Sequence, residues 1–160
     1  LHGDDGNDSL YGDDSETIGG TDILYGGSGN DQLYGKAGND VLQGQSTSSL
    51  LSALEKDTLT GGLGSDRFVV AGLYMHGRSN DYAMIEDWNQ GGAQDKLDVS
   101  NPNAIQLFAV DNNTYNVYQA TETTGLLGLI SGTNSELVAR IDSNTLTGQS
   151  LFDNIMSNLI

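Results

Sequence analysis

Six aspartates recur along the first 69 residues, each followed two positions later by a bulky apolar residue: Asp8/Leu10, Asp22/Leu24, Asp31/Leu33, Asp40/Leu42, Asp57/Leu59 and Asp66/Phe68. Carboxylates in this number could move protons, form turns or hold cations. Proton transfer needs one carboxyl of a pair in a protected, shifted environment, which aspartates on open turns do not have. Glycines precede the aspartates: Gly3 and Gly6, then Gly20, then Gly26, Gly27 and Gly29, then Gly35 and Gly38, and last Gly61, Gly62 and Gly64. Such loops bring backbone carbonyls beside each carboxylate, and a hard divalent cation takes about six to eight oxygens. One isolated Gly-x-Asp would be read as a turn that accepts local backbone hydrogen bonds. Copies in phase, each with the same apolar partner, favour metal ligation instead. Calcium fits better than magnesium, which demands stricter geometry and gives up its water reluctantly. Soft or imidazole-seeking metals are unsuited to a chain with no cysteine and only His2 and His76.

Aligned on this pattern, the chain reads GDDGNDSLY (3–11), GDDSETIGGTDILY (12–25), GGSGNDQLY (26–34), GKAGNDVLQ (35–43), GQSTSSLLSALEKDTLT (44–60) and GGLGSDRFV (61–69), six units of which two carry insertions. The 44–60 segment is either one unit with an inserted loop or two degenerate units. Leu1 stands nine residues before Leu10 and reads as the tail of an earlier unit, so a fragment of a longer protein is expected. A nine-residue period is too short for helical hairpins and suits a solenoid built from one tight turn and one short strand per unit. Glycine makes the turn cheap, and strand alternation points the single apolar residue inward. Two units then complete one coil with turns on opposite edges. That geometry predicts Asp8, Asp31 and Asp57 along one edge and Asp22, Asp40 and Asp66 along the other. Neighbouring strands lie about 5 Å apart, and two carboxylates at ~4 Å repel by about 4 kcal/mol at an effective dielectric of about 20. Such ladders oppose folding unless cations sit between the rungs.

Composition points the same way. The 160 residues carry a formal charge of −16, with six basic residues, Lys36, Lys56, Arg67, Arg78, Lys96 and Arg140. Nucleic acid and anionic membrane surfaces would be repelled, leaving cations as natural partners. A hydrophobic share of 36% with 22 glycines makes a thin core that something besides burial must support. Absence of cysteine excludes disulfides, iron–sulfur clusters and cysteine–zinc sites, and decides nothing about compartment. No apolar run approaches the roughly 18 residues that span a bilayer, so membrane insertion is not expected. The first ten residues lack the basic and apolar regions of a secretory leader.

The repeat resembles the RTX family (repeats-in-toxin, the hemolysin-type calcium-binding repeat), whose pattern G-G-x-G-x-D-x-U-x, with U apolar, folds as a parallel β-roll. GGSGNDQLY and GGLGSDRFV match every defined position, whereas GKAGNDVLQ departs at Lys36 and GDDGNDSLY at Asp4. The two segments with insertions depart further. GGLGSDRFVV followed by DYAMIEDWNQGGAQDKLDVS is similar to the closing section of such arrays, with Ala83 and Trp88 at positions of aspartate and an aromatic. The resemblance implies several bound Ca2+ ions, held by the six aspartates and the glycines named above, with Asp87 and Asp98 matching the closing section. It also implies a C-terminal module of a secreted, extracellular protein exported by type I secretion machinery, largely unfolded in low-calcium cytosol, with an uncleaved export signal near its C-terminus. The tail SLFDNIMSNLI suits either that signal or an ordinary terminal element docking on the fold.

Beyond residue 70 the nonapeptide stops. The runs 66–72, 81–88, 105–110, 114–119 and 135–141 are β-branched and aromatic between Gly, Asn and Asp turns, and read as strands, with a hairpin near 113–116. Helix candidates lie within 44–56 and at GQSLFDNIMSNL, with Ser150 as a possible cap. The expected organisation is all-β: a parallel β-roll over 1–69 and a β-rich capping region over 70–160. Asp81, Glu86, Asp87, Asp95 and Asp98 form a second acidic cluster that could hold one more calcium or be a solvated loop. Trp88 and Phe68 read as core at the junction. Tyr11, Tyr25 and Tyr34 should point outward, as a ladder that packs on itself or, alternatively, as a sugar-binding face.

No His-Glu-x-x-His, Gly-x-Ser-x-Gly or P-loop is present, so no catalytic residue is assigned and any activity of the parent protein is expected upstream. The leading expectation is a module that folds on calcium outside the cell and supports secretion and stability of a larger protein. The alternative is a calcium-dependent module that binds polysaccharide or a cell surface.

Overall fold

The structure, a computed structural model, describes residues 1–45, 55–70, 82–90, 94–99, 105–124, 131–143 and 146–160. The helix candidate within 44–56 falls mostly outside these residues, as do His76, Arg78 and Asp81.

Alternating repeat segments feed two different sheets. Strands β1 (His2–Asp5), β3 (Ile23–Ser28), β5 (Val41–Gln45), β7 (Arg67–Val69) and β9 (Lys96–Asp98) pair in that order, all parallel. Strands β2 (Ser9–Tyr11), β4 (Gln32–Ala37), β6 (Lys56–Leu63) and β8 (Tyr82–Ile85) pair in parallel in a second sheet. That sheet continues through β12 (Ser131–Asp142), parallel to β8, and then through the antiparallel strands β11 (Thr114–Thr124) and β10 (Ile105–Ala109). The chain is therefore mostly β, and strands β8 and β9 carry both parallel sheets past the last nonapeptide.

Register explains the single apolar residue per unit. Leu10, Leu33, Leu59 and Ile85 lie opposite one another in one sheet, and Leu24, Leu42, Phe68 and Leu97 in the other. Because strand side chains alternate, only every second residue enters the core. All of these except half-buried Leu10 are fully buried, and each is worth about 1.5–3 kcal/mol.

The turn between β10 and β11 occupies Val110–Asn113, where Val110 N–H donates to Thr114 O. It comes a few residues before the expected 113–116, because Tyr115 already pairs with Ala109. Helix α1 (Gly148–Ser157) buries Leu151 and Ile155, one turn apart on one face. Its cap is Thr147, and Ser150 sits at the third helical position, where its hydroxyl accepts from Thr147 N–H at 3.4 Å. The tail then runs beside β9: Leu97 N–H donates to Asn158 O, and Ile160 N–H to Leu97 O.

Trp88 joins the two halves. It is fully buried, its ring centroid lies 6.1 Å from that of Phe68, and its indole Nε1–H donates to Asn154 Oδ1 at 2.9 Å. The expected junction core is present.

Candidate metal centre: two ladders of aspartates

Each turn runs over six positions, from its first glycine to its aspartate, as in Gly26-Gly27-Ser28-Gly29-Asn30-Asp31. Positions two and four have positive φ: Asp4, Gly27, Lys36 and Gly62 at the second, and Gly6, Gly29, Gly38 and Gly64 at the fourth. Two non-glycine residues stand at position two, and the stacking accounts for them. A Cβ on Gly27 would strike the carbonyl oxygen of Asp4 in the coil before it, and one on Gly62 would strike that of Lys36. Asp4 and Lys36 are the lower members of these pairs, so they bear only the modest cost of left-handed backbone.

The aspartates form two hydrogen-bonded series. Asp8 N–H donates to Asp31 Oδ1 at 2.9 Å and Asp31 N–H to Asp57 Oδ1 at 2.9 Å. On the other edge, Asp22 N–H donates to Asp40 Oδ1 at 2.8 Å, Asp40 N–H to Asp66 Oδ1 at 2.8 Å and Asp66 N–H to Asp95 Oδ1 at 2.9 Å. Asp31, Asp57, Asp40, Asp66 and Asp95 thus each spend one oxygen on the backbone of the preceding turn in their ladder.

The other oxygen has a different fate. Oδ2 of Asp8, Asp31, Asp40 and Asp66 has no hydrogen-bond partner, although Asp31, Asp40 and Asp66 are each only 1% exposed. These oxygens lie over the first glycine of their own turns, Gly3, Gly26, Gly35 and Gly61; a Cβ on Gly3 would stand 2.7 Å from Asp8 Oδ2. Burial pushes the carboxyls of Asp31 and Asp40 up; the amides of Asp8 and Asp22 that donate to them pull the other way, and the negative charges of those neighbours offset only part of that pull. Asp66 is pushed up to about 7, by burial first and then by Asp95, Asp40 and Asp87. Asp95 is raised to about 6, again chiefly by burial.

A buried carboxylate with an unpartnered oxygen is costly unless a cation meets it. The donors are all oxygens, which suits a hard divalent ion. Among the described residues no three acidic or histidine side chains gather on one point. Backbone carbonyls of the turns must therefore complete any coordination shell, and Gly3, Gly6, Gly20, Gly26, Gly27, Gly29, Gly35, Gly38, Gly61, Gly62 and Gly64 leave room for them. Gly20 serves as the fourth-position glycine of its interrupted turn, since a Cβ on Gly38 would meet its carbonyl.

Residues 1–16, 17–46 and 55–70 match the family model of the RTX calcium-binding nonapeptide repeat, in four copies. The array belongs to the RTX calcium-binding repeat family. Neither the curated proteins nor the solved structures yield a match. The RTX match ends at residue 70, which is also where the nonapeptide spacing stops.

Beyond the RTX repeats, the second acidic cluster divides. Asp87 accepts Gly61 N–H at 3.0 Å and Gly62 N–H at 2.6 Å, standing where the next turn would begin. Asp95 ends the second ladder and exchanges hydrogen bonds with Asn89. Asp98 instead forms an ion pair with Arg67, away from the ladder.

Sequence reasoning passed over a further ladder at position five of the RTX turns. Asn30 N–H donates to Asn7 Oδ1, Lys56 N–H to Asn30 Oδ1 and Ser65 N–H to Asn39 Oδ1, each at 2.8 Å. These bonds run opposite to those of the aspartates, so adjacent coils are tied in both directions. The signal was legible as the Gly-Asn-Asp triplet that three units share. The tyrosines do not form one ladder: Tyr11 stacks on Tyr34 at 4.9 Å, while Tyr25 stacks on His2 at 4.7 Å in the other sheet.

Proposed function

We propose that the chain is a C-terminal RTX module of a secreted protein, that its two ladders wind as a parallel β-roll, and that it folds when calcium becomes available outside the cell. The observation that carries this reading is the set of buried, unpartnered Oδ2 atoms, that of Asp31 on one ladder and those of Asp40 and Asp66 on the other. Calcium supplies the positive charge and the oxygen coordination that these carboxylates lack. The chain's own part is to hold one carboxylate oxygen rigidly on the preceding coil and leave the other turned toward the glycines of its turn. With a net charge of −16 and few internal cations, the unfolded chain has little reason to collapse where calcium is scarce. An unfolded chain suits passage through a type I export channel. The packed end, with Trp88 on Asn154 and the tail on β9, offers a surface on which coils can grow.

A glycan-binding face gains no comparable support. Tyr11 and Tyr34 stack with planes 9° apart, and Lys36 stands over both rings and pairs with Glu16. Each ring turns one face to the other, and the Lys36 ammonium stands close to both.

Trp88 is the only tryptophan and is fully buried, so its emission reports the junction. Chelating calcium is expected to shift the emission to the red, as the indole enters water, and restoring calcium to shift it back. A blue, calcium-insensitive emission would contradict calcium-linked folding.

A further inference from the structure

At each interrupted turn a carboxylate takes a fourth-position amide that elsewhere goes to the main chain. In uninterrupted turns the fourth-position amide reaches the third-position carbonyl of the next coil: Gly6 N–H to Ser28 O and Gly38 N–H to Leu63 O, both at 2.8 Å. Gly29, which lies below the turn carrying the 46–54 segment, instead donates to Glu55 Oε1 at 3.1 Å. The other oxygen, Glu55 Oε2, accepts Gln45 Nε2–H at 3.0 Å. Gly20, at the end of the other insertion, donates to Asp13 Oδ2 at 3.1 Å.

Each of these carboxylates also adds negative charge beside a ladder aspartate whose Oδ2 is buried and unpartnered. Glu55 acts on Asp31, and Asp13 acts on Asp40. Glu55 is itself buried. A carboxylate offers about four lone-pair sites, so these hydrogen bonds leave capacity on Glu55 and on Asp13.

We propose that Glu55 and Asp13 are additional ligands for a hard divalent cation, each supplying a carboxylate oxygen at a turn that an insertion interrupts. The inference rests on the calcium reading above and extends it to the two turns where the motif is broken. It reverses the simple expectation that broken turns bind weakest, because each gains a charged donor, and ligand charge strengthens calcium sites. Neither residue belongs to the repeat pattern.

The test is to count bound calcium by equilibrium dialysis on the full chain and on Glu55→Gln, Asp13→Asn, Glu55→Ala and Glu16→Gln. The amide variants keep an acceptor for Gly29 or Gly20 and remove the charge. Glu16 lies on the same insertion as Asp13 but pairs with Lys36, so it controls for bulk charge. Glu55→Gln and Asp13→Asn are each expected to lose one ion or to hold it on the order of tenfold more weakly, while Glu16→Gln binds as the unaltered chain does. Equal counts and affinities in Glu55→Gln and Asp13→Asn would overturn the inference. So would a defect confined to Glu55→Ala, which would mark an acceptor role alone, or an equal loss in Glu16→Gln. An unaltered chain that binds no calcium would instead overturn the calcium reading itself.

Discussion

At position two of the turns, the choice between glycine and other residues follows from one contact. Gly27 has φ 114° and lies against the Asp4 carbonyl, whereas Asp4 has φ 69° as the lower member of the pair. Gly27→Ala is expected to cost about 1–3 kcal/mol in denaturant unfolding with calcium present, while Asp4→Gly should be close to neutral, or gain up to about 1 kcal/mol. Equal effects would show that backbone sign alone, without the stacked carbonyl, decides the position. The aspartates make a second prediction. Asp66 and Asp95 are raised to about 7 and about 6, above an unfolded value of about 3.9. Raised carboxyl values stabilise the metal-free fold fully below about pH 4, and that stabilisation is lost as pH rises through about 6 to 7. Calcium binding needs the ionised form, so the opposite holds for affinity. Between pH 5 and pH 8 the metal-free chain should become less folded while the affinity of the folded chain for calcium rises. Asp66→Asn should flatten both trends.

At the scale of elements, the pairing of the tail with β9 gives the five-stranded sheet a closed end. Val99 N–H donates to Ile160 O and Leu97 N–H to Asn158 O. Removing residues 158–160 should speed hydrogen exchange at the Leu97 and Val99 amides and leave that of Val41, bonded to Asp22 O far from the tail, unchanged. Uniform acceleration along the chain would mean that the tail supports global stability and not this edge. The elements also show what the sequence could tell. Asp8/Leu10 and its repeats fixed both the inward row and the assignment of aspartates to edges, because a short period dictates its own stacking. The union of β12 with β8 was not legible, since it brings Ala139 beside Ala83 with no shared period. Asp95 stood in the second acidic cluster without being matched to the ladder, for a related reason. Spacing from Asp66 fails once the chain detours through Trp88 and Asn89, and only the fold shows which aspartate returns to the ladder.

For the whole molecule, the central balance is between carboxylate repulsion along two edges and the burial of a narrow core. Leu24, Leu33, Leu42 and Leu59 supply one inward side chain per unit, while nearly every unit adds a buried or half-buried carboxylate beside another. Without cations the ladders oppose the stacking that the leucines favour. The sharpest test is far-UV circular dichroism of metal-stripped chain at pH 7.5 during titration with calcium, with magnesium as control. A cooperative gain of β signal with calcium, and none at equal magnesium, is the result this account predicts. A spectrum already β-rich without metal and unchanged by calcium would contradict it, and would leave the aspartates as turn-formers.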